Sequence, residues 1–305
     1  MDNLDVNFLL NKYTSFVDSI SLEYGYDNNL KHLLSFIVPS FIIKYGILNE
    51  KMILKVFRDV RVIVSTKEDD KRPAYFTRVL KNENGEIVIY RYIVLDQYKT
   101  ASLSSLLDSI IHEFCHAVNS YNNEVVVDND YVKIRSGVSY LIYDKKTLKF
   151  IKKSNENILE EVLNTINTED IVNIIKSFSK YNLGVEYENM VYSLNSITSS
   201  SFESDAYSFE KYICKILVNN KTFIPTINNL RFKGITEDIP SLFDNITEID
   251  GSYDELNNNL FLIHELEYKY VNSKFFKKRI LRKIRTLSKK VIDIINLYDS
   301  KCIYK

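Results

Sequence analysis

Five consecutive residues, His112-Glu113-Phe-Cys-His116, carry the strongest chemical signal in this chain of 305 residues. Side chains four residues apart lie on one face of a helix, so His112 and His116 can bind one Zn²⁺ together. Glu113 lies beside His112 and can take a proton from water as general base without binding the metal. The alternative is a pair of histidines that only cap a core helix. The chain has four histidines in all, and their scarcity favours the metal site.

A helix must position these residues, and the apolar pattern around them predicts one. Apolar side chains recur at three- and four-residue spacing and form its buried stripe: Leu103, Leu106, Leu107, Ile110, Phe114 and Val118. The two histidines and Glu113 fall on another face. Asn119 and Asn122 stand where the metzincin extension of the motif has glycine and a third histidine. We therefore expect the third metal ligand to come from another part of the chain.

A second predicted helix begins near Ile158 and carries Glu160 and Glu161. A carboxylate from a second helix is the usual complement to two histidines in a catalytic zinc site. With this segment the chain resembles the gluzincin metallopeptidases over about residues 59 to 195. The resemblance implies Zn²⁺ held by His112, His116 and Glu161, with Glu160 as an exposed neighbour. It also implies hydrolysis of a peptide or protein substrate by a zinc-activated water, with Glu113 as general base.

Three further features follow from this resemblance. The run from Tyr90 to Asp96 looks like the sheet-edge strand along which such peptidases bind substrate. Tyr187 loosely matches a tyrosine that donates to the oxyanion, although a simple packing role is favoured because the chain has 22 tyrosines. Thr165 stands where the family often has a carboxylate that orients a histidine, so that role would fall to Asp108 or Asp170.

The order of predicted elements indicates an α+β chain with a zincin-like catalytic unit between helical regions. We expect an N-terminal helical region over 1–58, the catalytic region over 59–200 and a C-terminal helical region over 201–305. Asn84-Gly85 predicts a tight hairpin, because both residues tolerate positive φ. Lys145-Lys146 separates two short β-rich runs and predicts a second hairpin.

The composition indicates which partners and which cellular compartment to expect for this chain. Lysine plus arginine and aspartate plus glutamate both number 40, so no net charge recruits nucleic acid. Three widely spaced cysteines indicate a reducing compartment, and the acidic N-terminus does not resemble a signal peptide. The apolar stretch 33–48 contains Pro39 and predicts a bent, buried helix rather than a membrane span. We therefore expect a cytoplasmic protein without a transmembrane segment; the sequence does not specify its oligomeric state.

The basic segment from Lys274 to Lys290 leaves alternatives open. It is consistent with a membrane or nucleic-acid adaptor, or with a solvated helix face. The sequence favours the solvated face, since the preceding helix carries acidic residues that can pair with it: Asp254, Glu255, Glu265 and Glu267. Another rival to the peptidase is a catalytically weak zinc-binding interaction protein on the same scaffold.

Overall fold

A computed structural model describes residues 6–66, 73–96, 103–154, 156–178, 217, 222–273 and 275–303. Within these ranges the chain is α+β, with two small sheets and flanking helices, as the sequence predicts. Its contacts divide the chain into two compact units, each built from separate stretches. The first unit comprises residues 1–118 and 167–201, and the second comprises 119–166 and 202–305. The zincin-like catalytic unit and the three consecutive regions remain predictions.

The first unit begins with helices. They are α1 (Val6–Tyr24), α2 (Asn28–Tyr45), a 3₁₀ turn (Ile47–Asn49) and α3 (Glu50–Asp59). The Asp27 carboxylate caps α2 by accepting a bond from the Leu30 N–H at 2.8 Å. The middle of α2, including Pro39, is buried, as predicted for this stretch. No single helix in the described ranges has the length and apolarity to cross a membrane; α2 and Ile47–Asp59 reach both only as a pair bent by 114°.

A three-stranded sheet follows, formed by β1 (Val60–Ser65), β2 (Ala74–Glu83) and β3 (Glu86–Asp96). Asn84 and Gly85 have φ values of 54° and 88° and form the predicted hairpin between β2 and β3. The strand order is β1-β3-β2. The prediction that Tyr90–Asp96 is an edge strand is therefore wrong. This strand is central, because β1 pairs with it in parallel on one side and β2 in antiparallel on the other.

The helix that carries the histidine motif is α4 (Leu103–Tyr121), and α5 (Asn157–Ser177) carries Glu160 and Glu161. Between them a four-stranded antiparallel sheet has the order β4 (Val125–Val127), β5 (Tyr131–Ser136), β6 (Ser139–Asp144) and β7 (Phe150–Lys153). The β6–β7 pair confirms the second predicted hairpin, which turns at residues 145–147.

The described C-terminal part of the second unit is helical, as the sequence predicts. Its helices are α6 (Phe223–Lys233), α7 (Ile239–Thr247), α8 (Ser252–Asn272) and α9 (Lys277–Ile303). Apolar side chains from these helices and from the start of α5 form one buried cluster that includes Leu159, Leu163, Ile227, Phe243, Leu260 and Val291. This cluster fixes the first turns of α5 through the side chains that flank Glu160 and Glu161.

Candidate metal centre

Aromatic packing sets the rotation of α4. Phe114 is buried, and its ring stacks on that of Phe57 with the centroids 4.1 Å apart. Leu107, Ile110 and Val118 are also buried, which confirms this part of the predicted apolar stripe, and Leu106 is half-buried. Because Phe114 directly follows Glu113, its packing determines the direction in which the motif side chains leave the helix.

The two histidines lie together on this helix. The ring centroids of His112 and His116 are 5.0 Å apart, with an interplanar angle of 74°. His116 is 8% exposed and His112 is half-buried. Two imidazoles at this separation present nitrogen atoms to one small volume, which is the geometry that a shared metal ion requires.

Glu113 makes a backbone contact that the sequence did not predict. Its Oε2 accepts a bond from the Phe76 N–H of β2 at 2.6 Å, and the side chain is 8% exposed. Phe76 pairs with Ile93 of β3, and β2 is an edge strand, so this N–H points away from the sheet. A main-chain donor has no residue signature, and only the folded chain brings it to Glu113.

The structure groups the three ligands expected from the sequence. One ligand atom from each of His112, His116 and Glu161 lies within 4.8 Å of the others, and Glu161 is half-buried. Two imidazole nitrogens and one carboxylate oxygen are a donor set typical of catalytic zinc. These residues could hold a metal ion.

Glu160 has a different environment from the exposed one that we expected. It is 1% exposed, and its carboxylate forms an ion pair with the buried guanidinium of Arg231. It also accepts bonds from the Val138 N–H at 2.7 Å and from Asn164 Nδ2 at 2.9 Å. The exposed assignment was wrong, because the side of α5 at Glu160 faces a buried polar cluster rather than solvent.

Gly137 allows Glu160 to reach this cluster. Its φ is +62°, and a Cβ at this position would lie 1.8 Å from the Glu160 Oε2. Only glycine fits both the left-handed backbone and the close approach. Next to it the buried Arg135 guanidinium donates to several main-chain carbonyls, those of Asn119, Ser120, Gly137 and Arg231. The turn before β6 is thereby tied to the end of α4 and to α6.

Arg231 is a residue that our sequence reasoning missed. It is fully buried in α6, in phase with Ile224 and Ile227 at three- and four-residue spacing. A basic residue on an apolar stripe signals a buried ion pair, since an unpaired charge there is too costly. The sequence alone contains that signal, but it does not identify Glu160 as the partner.

The remaining predicted residues are only partly described. The Thr165 hydroxyl donates to the carbonyl oxygen of Glu161 at 2.9 Å, an ordinary contact with the preceding helical turn. The Asp170 carboxylate pairs with Lys44. Asp108 lies on α4 and is half-buried. Tyr187 lies outside the described residues.

Comparison with known proteins adds no further assignment. No protein-family model, curated protein or solved structure matches this chain. The interpretation of the candidate metal centre therefore rests on its residue types, on the geometry of α4 and on the grouping of the three ligand atoms.

Proposed function

We propose that this protein is a zinc-dependent peptidase in which His112, His116 and Glu161 hold the metal and Glu113 is the general base. One observation carries the proposal. The acidic ligand selected from the sequence on α5 groups with both motif histidines within 4.8 Å. A core helix that merely happened to contain two histidines has no reason to place a half-buried carboxylate there.

Zinc, when bound, supplies Lewis-acid chemistry by making water more acidic and by polarising a carbonyl. Glu113 accepts the proton of the attacking water as the water oxygen bonds to the scissile carbonyl carbon. It then delivers this proton to the nitrogen of the leaving amine as the carbon–nitrogen bond breaks. The products are a new carboxyl terminus and a new amino terminus.

The contact between Glu113 and β2 bears on substrate placement. β2 is the edge strand whose Phe76 N–H reaches the proposed base at 2.6 Å. The N–H and C=O groups of alternate residues on such a strand face away from the sheet, and an extended peptide can pair with them. Main-chain pairing of this kind favours extended peptides and demands little of their side chains.

The proposal is tested by comparing Glu113→Gln with His112→Ala in the purified full-length chain. Glutamine cannot accept the proton, so we expect zinc to be retained while cleavage of a peptide library falls by about 10²- to 10⁴-fold. His112→Ala removes a ligand, and we expect it to lose zinc as well as activity. Metal analysis and mass spectrometry of the library provide the two measurements.

Three outcomes separate the rival functions. Wild-type protein that binds zinc stoichiometrically but cleaves no peptide would indicate the zinc-binding interaction protein instead. Wild-type protein that retains no zinc after equilibration with the metal would contradict the site itself. Loss of zinc from Glu113→Gln equal to that from His112→Ala would make Glu113 a ligand and not the base.

A further inference from the structure

The first half of α9 is a concentrated positive surface. Between residues 277 and 290 the chain has no acidic residue and eight basic ones, all exposed: Lys277, Lys278, Arg279, Arg282, Lys283, Arg285, Lys289 and Lys290. We call these eight residues the basic face. The whole chain has zero net charge, so this face is a local departure from the composition. Cations in the first helical turn also oppose the helix dipole, which favours anions there.

The described residues do not neutralise the basic face. None of its eight residues forms an ion pair with a described residue, and Lys277 lies over the Tyr270 ring at 5.0 Å. On α8, Glu265 pairs with Lys269 of the same helix instead. The helical hairpin expected from the sequence is present, since α8 packs along α9. The pairing of acidic α8 side chains with the basic face, which made a solvated surface the favoured interpretation, is not found among the ion pairs of the described residues.

The opposite side of α9 is anchored in the protein. Ile284, Val291 and Ile295 are buried in the core cluster of the second unit, with Ile280 and Leu287 packed against it. At 100° per residue the basic side chains from Lys278 onward fall on the face opposite this stripe. The apolar side of the helix is therefore buried, and its cationic side is exposed.

Two exposed phenylalanines, which we call the aromatic tip, directly precede the basic face in the chain. Phe275 and Phe276, in the turn between α8 and α9, are 74% and 75% exposed. Phe276 has a φ of +66°, a conformation that is uncommon for a bulky side chain. Tyr268, near the end of α8, is 70% exposed. Adjacent exposed phenylalanines without a described core contact are typical of a surface that is covered by a partner.

We infer that the tip formed by Phe275 and Phe276 and the basic face dock together on an anionic lipid bilayer. The tyrosines at the end of α8 precede the aromatic tip, and the cations follow it within the next turns of helix. The same sequence of groups suits a bilayer surface, where apolar rings enter the acyl boundary, tyrosines favour the interface and cations meet anionic headgroups. Nucleic acid phosphates also pair with cations, but they offer no apolar layer in which the phenylalanine pair can be buried.

The test uses the full-length protein and sedimentation with two kinds of vesicle. One is phosphatidylcholine alone, and the other contains roughly 30% phosphatidylserine, enough to create a negative surface potential. We expect binding only to the phosphatidylserine vesicles, weakening as salt is raised because exposed charges are screened. A mixed-sequence DNA duplex serves as the competing polyanion.

Two double variants test the contributions of the basic face and of the aromatic tip separately. Lys278→Glu with Arg282→Glu reverses two charges on one face, and we expect the partition coefficient to fall by about a hundredfold. Phe275→Ser with Phe276→Ser removes the tip, and we expect a fall of about tenfold or more. The matched control is Phe150→Ser with Lys152→Glu in β7, where an exposed phenylalanine also lies beside lysine. The control should bind like wild type.

Several results would overturn the inference. They are equal binding to neutral vesicles, no binding to either kind, equal losses in the control variant, and binding to the DNA duplex without binding to vesicles. All four substituted α8–α9 positions are exposed, so an unchanged thermal midpoint verifies that each variant is folded. Zinc content and peptide cleavage are independent of this assay and test the proposed function separately.

Discussion

Two adjacent glutamates on α5 illustrate how one residue step changes a side chain's role. Glu160 and Glu161 diverge by about 100° around the helix. Glu160 points to Arg231 in a buried ion pair, whereas half-buried Glu161 groups with the motif histidines. Their chemistry is identical, so burial and partners alone distinguish the carboxylate of a buried ion pair from the proposed metal ligand.

This difference predicts opposite effects of two alanine substitutions. Glu160→Ala leaves the Arg231 guanidinium buried without its carboxylate, so we expect the free energy of unfolding to fall by about 3 kcal/mol or more. Glu161→Ala removes a proposed ligand instead, and we expect zinc to be lost on mild chelation with little change in the stability of the metal-free protein. Urea unfolding of the metal-free proteins and a chelator competition assay measure the two effects. The reverse pattern would exchange the roles of the two residues.

At the scale of elements, the joint between α7 and α8 depends on one carboxylate. Asp244 accepts bonds from the N–H groups of Gly251 and Tyr253 and from the Ser252 hydroxyl, at 2.8 to 2.9 Å. These groups begin α8, whose first N–H donors have no partner within the helix. Burial raises the pKa of Asp244, but the bonds to its charged form outweigh this effect and hold the pKa below its ordinary value.

We therefore expect Asp244→Ala to lower the free energy of unfolding by about 1 kcal/mol at neutral pH, the usual contribution of a helix cap. The lowered pKa sets the pH dependence, because the stabilisation is present above the unfolded pKa and is lost as the carboxylate is protonated. The gap between wild type and variant should close as pH falls below about 4. Exposed Asp250, in the same loop, is the control, and Asp250→Ala should unfold like wild type. A gap that persisted at low pH would contradict this role for the charged form.

The position of β3 within its sheet was not predictable from the local sequence. The run from Tyr90 to Asp96 has the β-rich composition of a strand, and β3 is there. Composition does not tell how many neighbours a strand has. β3 is central because β1, which lies about thirty residues earlier in the chain, pairs with it in parallel. A partner so distant in the chain leaves no local sequence pattern in β3.

At the scale of the whole molecule, the proposed zinc should couple to folding. A ligand that binds only the folded state stabilises it by about 4 kcal/mol when its free concentration is a thousandfold above the dissociation constant. Calorimetry of wild type with zinc and with excess chelator should therefore show a lower thermal midpoint after metal removal. His112→Ala lacks a proposed ligand, and its midpoint should not respond to the chelator. A wild-type midpoint that is also insensitive would argue against a structural link between the metal and the fold.

The sequence by itself determined the local features of this protein. Helical periodicity placed His112, Glu113 and His116 on one helix with Phe114 in its buried stripe. Asn84-Gly85 specified the first hairpin, and the resemblance to gluzincins selected Glu161 as the proposed third ligand. These features depend on residues close together in the chain, whose geometry follows from the helix and turn periods.

Tertiary structure decided what depends on distant partners. The burial of Glu160 required Arg231, which lies 71 residues away, and a glycine at 137 that admits the carboxylate. The contact of Glu113 with β2 required a main-chain N–H that any residue type would supply. The eight cations of the basic face form no ion pair with a described residue, although the preceding helix α8 carries several acidic side chains. Each outcome depends on which surfaces meet in three dimensions, and sequence periodicity does not encode that pairing.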